Sequence, residues 1–216
     1  MFTSRISMAV PGTLAPNRRV VPSSGWTRIT SAVRVSSSVA LAANEIAFQL
    51  FIFLSLILDA VAIAGQVLIG RLVGASRGDD AREAAQRMLM WSLVVGVAFG
   101  VVLLAGSRFI PDLFTDDPRV IDAAANFWWL FALMQPIGAL VFALDGILIG
   151  AGDIRFLALA MLGAAAVFIP FLLLALALDW GLIGIWVSLN LLMVVRLAPL
   201  WRRFEGRRWL VLGAPA

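Results

Sequence analysis

The chain contains no cysteine, no histidine, no tyrosine and no lysine. The absence of cysteine excludes disulfides and thiol nucleophiles, and the absence of histidine removes imidazole acid–base chemistry. Zinc sites and haem ligation by any of these groups go with them. Charge is scarce as well. Only 14% of the 216 residues are charged, against roughly a quarter in soluble domains. The net charge of +4 is small and confined largely to loops, which excludes the broad basic face that nucleic acid demands.

What the chain has in quantity is hydrocarbon. Hydrophobic residues make up 62% of it, and the mean hydropathy is +0.97. This composition predicts an all-α, polytopic bundle of membrane helices. All 17 basic residues are arginine; together with abundant alanine and glycine, this is the usage associated with GC-rich bacterial genomes.

A spanning helix needs about 20 apolar residues at ~1.5 Å rise each. Five stretches qualify: residues 46–70, 88–106, 127–150, 156–178 and 181–200. "VGASRGDDAREAAQR" reads as a polar joint entering a helix capped by Asp79 or Asp80. In "PDLFTDDPRVIDAA", Asp117 is the predicted cap and Pro118 the first helical residue. "GAGDIR" and "DWG" read as tight connections, and such joints belong at the membrane surfaces because lipid cannot satisfy exposed backbone.

Residues 1–38 differ. They carry Arg5, Arg18, Arg19, Arg28 and Arg34, many serines and no acid. No apolar run there can span or form a signal-peptide core. The composition fits a transit segment, or an unstructured or aberrant tail, and residues 1–36 are expected to pack poorly. The transmembrane domain is expected over residues 39–213.

Arginine distribution orients the helices. Arg71, Arg77, Arg82 and Arg87 in one joint, and Arg196, Arg202, Arg203, Arg207 and Arg208 near the C-terminus, predict a cytoplasmic side. Asp112, Asp116, Asp117 and Asp122 predict an external loop. Five helices then leave the arginine-bearing N-terminal tail outside, a conflict that a helix missing ahead of residue 40 would remove.

Two carboxylates stand inside apolar runs: Asp59 in "LDAVAIAG" and Asp145 in "LDGILIGA". A charge at the bilayer centre costs on the order of 3 kcal/mol, so each must be neutral, paired or turned to a polar cavity. Seven residues return to nearly the same side of a helix, which puts Gln66 on the stripe of Asp59, with Ser55, Ala62 and Gly70. The stripe of Asp145 runs through Met134, Gly138, Val141 and Gly152, with Gln135 a quarter-turn away. Gly138 is expected to allow close helix approach. Pro136 removes a backbone donor and frees a carbonyl, which beside a carboxylate suits a hard cation or a proton. The other reading of both aspartates is interhelical hydrogen bonding. Asn190 is a cavity-lining candidate or a helix–helix contact. Trp128, Trp129, Trp201 and Trp209 read as interfacial aromatics. There is no nucleophile–base constellation, so no enzyme is expected, and no cofactor or metal beyond a coupling proton or sodium ion.

Three stretches, "LFALMQPIGALVFALDGILIGAGDIRF", "IPDLFTDDPRVIDAAANFWWLFAL" and "LDAVAIAGQVLIGRLVGA", resemble the multidrug and toxic compound extrusion (MATE) transporters, the DinF-like branch most closely. The resemblance covers residues 39–213. It implies a plasma-membrane antiporter that exports organic cations or other xenobiotics against protons or sodium, working through two six-helix lobes. The chain is similar to helices eight to twelve, a C-terminal lobe without its first helix. By the same resemblance, Asp145 matches the helix-ten acid that helps bind a coupling ion, and Asp59 matches an aspartate of helix eight. The expected partners are a small-molecule substrate, the bilayer and a missing N-terminal lobe. The competing expectations are a truncated or frameshifted product without transport, and a half-transporter or scaffold subunit needing a partner.

Overall fold

In the computed structural model, the backbone is described for residues 25–210 and the side chains for residues 38–210. Six helices follow one another: α1 (Gly25–Gly74), α2 (Gly78–Ala105), the single turn α3 (Phe109–Asp112), α4 (Pro118–Gly150), α5 (Ile154–Ala177) and α6 (Gly181–Glu205). Five of them are long and apolar enough to cross a membrane, α1 from Ser38 onward. These match the five expected stretches, and four of them begin earlier than expected. The helix α1 begins at Gly25, so residues 25–38, expected in an unstructured tail, are helical. The rest of that tail, residues 1–24, lies outside the described residues. The chain divides into two units, Met1–Ser36 and Ser37–Ala216, and the second is the helical bundle.

The helix α4 is its hub. Its most apolar window is 61% buried inside the protein, against 28% or less for the other four. It packs against α2 on one side and α6 on another, and α5 packs against α6. The other helices turn large apolar side chains outward: Phe53 and Leu56 on α1, Trp91 and Val101 on α2, Leu162 and Leu173 on α5. In water such a surface would drive aggregation; it is the surface a helical membrane protein turns to lipid.

With lipid tails as apolar as leucine, helices associate through close packing of small residues. Two glycine pairs do this here. A Cβ on Gly96 of α2 would stand 2.6 Å from the Ala139 Cβ and 2.9 Å from Pro136 of α4, and one on Gly100 would stand 3.0 Å from the Ala132 carbonyl. Further along α4, a Cβ on Gly146 would lie 2.3 Å from the Ala62 carbonyl of α1, and one on Gly150 would lie 2.5 Å from that of Gln66. Gly138, expected to be a close-approach site, has open space where its Cβ would be.

Buried polar groups lock these packings. The Trp128 Nε1–H donates to the Leu103 carbonyl at 2.8 Å, satisfying an acceptor that the end of α2 leaves without an intrahelical donor. Trp128 is therefore a buried tie between α4 and α2, not an interfacial anchor, whereas Trp129 is exposed. Trp186 of α6 stacks on Phe127 at 5.4 Å. Trp209 is also buried, donating to the Phe204 carbonyl at 3.0 Å, so of the C-terminal pair only Trp201 remains exposed.

The joints follow backbone chemistry. Asp117 caps α4, accepting from the Arg119 amide at 3.0 Å with Pro118 next in line. At α2 the cap position belongs to Arg77, which makes no side-chain cap bond, and Asp79 and Asp80 fall in the first turn, where they complement the helix dipole. After α4, Gly152 adopts φ +80°, and the amides of Gly152 and Asp153 return to the Ile149 and Leu148 carbonyls at 3.0 and 2.9 Å. This is a Schellman stop, and it aims the chain directly into α5.

Asp117 also binds the Arg119 guanidinium at 2.9 Å, and that side-chain hydrogen bond is the main cause holding its carboxyl below the usual carboxylate range. A carboxyl depressed in the folded state adds stability above the unfolded pKa of about 3.9 and loses it as pH falls through the folded value. At neutral pH, Asp117→Ala is expected to speed hydrogen exchange at the Arg119 amide. The gap between variant and native chain should close on acidification below the ordinary carboxylate range. Equal exchange at neutral pH would remove the cap from the account of α4.

Candidate functional site

One cavity of about 280 Å³ brings together Asp59, Ala62 and Gln66 of α1, Asp145 of α4 and Arg196 of α6, closed by apolar side chains including Leu157 and Met161 of α5. The seven-residue spacing in α1 does put Asp59 and Gln66 on one side, and the contact of Gly146 and Gly150 with α1 sets that side against Asp145.

Arg196 was expected in the cytoplasmic tail. It lies instead within α6, and its Nη2 donates to the Asp145 Oδ2 at 2.6 Å. Both side chains are 15% exposed. An ion pair this enclosed offsets the cost of burying either charge alone. The signal was present in "NLLMVVRLAPLW", a single arginine in an apolar run, which calls for a carboxylate partner. The pair is incompletely bonded: Asp145 Oδ1 and Arg196 Nε are buried with no hydrogen-bond partner among the described residues. Asp59 is exposed to the cavity and makes no hydrogen bond or ion pair among the described residues. Two carboxylates against one guanidinium give the ionised cavity one negative charge.

The remaining expected site residues do not line this cavity. Gln135 is buried and bonds within its own helix, to the Phe131 carbonyl at 3.1 Å. Pro136 frees the Ala132 carbonyl, but that oxygen faces Gly100 of α2, thirteen residues and about 20 Å of helix away from Asp145. The proline lines a separate apolar recess between α2 and α4. Asn190 donates to the Leu130 carbonyl at 3.1 Å and the Trp186 carbonyl at 2.9 Å, so it joins α6 to α4.

Known proteins resemble this sequence. The MatE family model matches residues 22–174. The chain belongs to the MatE family. Among curated relatives, it is 33% identical over 178 residues to Protein DETOXIFICATION 44, chloroplastic, of Arabidopsis thaliana, covering 82% of this chain and 34% of that protein. It is 27% identical over 187 residues to the uncharacterized transporter YisQ of Bacillus subtilis, covering 86% and 41%. It is 27% identical over 150 residues to the human multidrug and toxin extrusion protein 1, covering 68% and 26%. The chain thus spans about a third of the length of the first of these relatives. A MatE protein with five helices long and apolar enough to span is a multi-pass membrane protein.

Proposed function

We propose that the chain forms the C-terminal-lobe part of a DinF-like MATE antiporter, exporting organic cations or other xenobiotics in exchange for protons or sodium. The observation that carries this reading is the cavity holding Asp59, Asp145 and Arg196 with one net negative charge. A proton or monovalent cation entering it cancels that charge. Because burying charge in a low-dielectric site is costly, this neutralisation shifts the balance between two packings of the bundle. Asp145 takes the coupling ion at its free oxygen, Asp59 supplies the second carboxylate, and the substrate cation competes for the same charge. The name of the human relative, a multidrug and toxin extrusion protein, supports the substrate class.

The test is gradient-driven efflux of a cationic dye from proteoliposomes. Fused to the N-terminal helices of a full-length relative, the chain is expected to transport under an imposed proton or sodium gradient, and which gradient works names the coupling ion. Alone it is expected to transport nothing, since a two-lobe cavity needs both walls. A folded fusion inert under both gradients would reject the antiport reading.

We place the protein in the plasma membrane, with residues after 202 in the cytoplasm and residues 112–122 outside, from the arginine and aspartate distribution. The cysteine-free sequence makes labelling direct. In intact cells, an impermeant maleimide should modify Asp116→Cys and spare Glu205→Cys; the reverse pattern would invert the topology.

A further inference from the structure

Where α5 begins and α6 ends, a recess of about 430 Å³ is lined by Phe156, Pro199, Arg202, Arg203, Gly206 and Arg208. It is separate from the Asp59–Asp145 cavity and shares no residue with it. We propose that this recess binds the phosphate headgroup of an anionic membrane phospholipid.

Arg203 is fixed in place from two directions. Its Nε donates to the Asp153 Oδ2 at 2.6 Å, and its guanidinium lies 4.9 Å from the centre of the Phe156 ring. The Schellman stop after α4 is what sets Asp153 there. With Nε occupied, the two terminal nitrogens of Arg203 have no hydrogen-bond partner among the described residues. They remain as a preorganised donor pair of the kind that matches a phosphate.

Arg202 and Arg208 are exposed and have no acidic partner among the described residues. Of the neighbouring acids, Glu205 accepts from the Trp201 Nε1 at 2.8 Å and makes no ion pair with these arginines, and Asp79 faces Arg207 at 3.8 Å. Three guanidiniums line the recess and no carboxylate does; set against Asp153 and Glu205 at its edge, they still leave it net positive. The position of the recess decides the source of the anion. It lies at the end of two membrane-length helices, one residue along the chain from the half-exposed Trp201, and Phe156 and Pro199 give it an apolar wall. Indole side chains in such positions mark the headgroup level, and basic recesses between membrane helices at that level take anionic headgroups.

The experiment uses the purified 216-residue chain in neutral detergent, with bound lipid read by native mass spectrometry. The titrants are short-chain phosphatidylglycerol, phosphatidylcholine and inorganic phosphate. Phosphatidylglycerol should be retained, while the other two should bind at least tenfold more weakly. Each arginine near an anionic headgroup contributes roughly a fivefold factor. Arg202→Gln and Arg208→Gln together should therefore weaken phosphatidylglycerol by on the order of 25-fold, with the circular dichroism unchanged because both side chains are exposed. Arg108→Gln, outside the recess, should leave binding as it was. Phosphatidylcholine binding as tightly as phosphatidylglycerol would overturn the proposal, as would a double variant within twofold of the native chain. Inorganic phosphate matching the lipid would make this a free-anion site and also overturn it.

Discussion

In the fused transporter, Asp145→Asn is expected to abolish gradient-driven efflux and to destabilise the fold by about 3–5 kcal/mol, the usual cost of removing one partner from a buried ion pair. Asparagine keeps the size of aspartate and much of its hydrogen bonding but cannot ionise. It leaves Arg196 enclosed without a counter-charge. The two effects separate in the double variant Asp145→Asn/Arg196→Gln, where the unpaired cation is gone. That variant should regain most of its thermal stability and still fail to transport. Asp59→Asn should be milder in both respects, because Asp59 is more exposed and has no ion pair to break. The measurements are a thermal unfolding curve in detergent and dye efflux under each imposed gradient. Full efflux in Asp145→Asn would end its assignment as the coupling residue. Efflux in the double variant would reduce the pair to a structural contact.

The second large effect belongs to the contact between α1 and α4. Gly146→Leu is expected to leave no stably folded bundle, because any Cβ at that position would lie 2.3 Å from the Ala62 carbonyl, well inside van der Waals contact. The obstacle is backbone, which cannot rotate out of the way as a side chain can. Even Gly146→Ala must push the helices apart, at about 1–3 kcal/mol, the range for overpacked cores. It would also widen the cavity, since Ala62 is part of its wall. The control is Gly138→Ala, also on α4 and buried, where the new methyl meets open space. Relief of the helical penalty of glycine, up to about 1 kcal/mol, should leave that variant as stable as the parent or more so. Thermal unfolding of the three variants decides the matter. If Gly146→Leu unfolds at the parent temperature, α1 is not held to α4 by this contact.

Both results depend on features of different legibility. The five membrane helices, the Asp117–Pro118 start of α4 and the stop at Gly152 are local. They follow from runs of apolar residues, one cap and one left-handed glycine, and no distant residue is needed to specify them. The same is true of the common side of Asp59 and Gln66, because helical pitch alone determines it. The family resemblance, too, was carried by contiguous stretches of sequence.

The partners of those residues are not local, and only the folded bundle decides them. Periodicity gives the direction of a side chain about its own helix but not which helix stands opposite. Asp145 therefore read as neutral, paired or turned to a cavity, with a proline-freed carbonyl beside it and no partner named, whereas its neighbour is Arg196, fifty-one residues away, and the freed carbonyl faces α2. Of the glycines on α4, only packing distinguishes Gly146, pressed against α1, from Gly138, where an added Cβ would meet open space. Asn190 read as a cavity residue or a helix–helix contact and Trp128 as an interfacial aromatic, and the carbonyls they bind on neighbouring helices decide for helix–helix ties in both. In a bundle where nearly every surface is apolar, hydrophobicity places each helix in the membrane but does not select its neighbours. That choice rests on backbone approach at small residues and on a handful of buried polar pairs, both properties of the assembled helices.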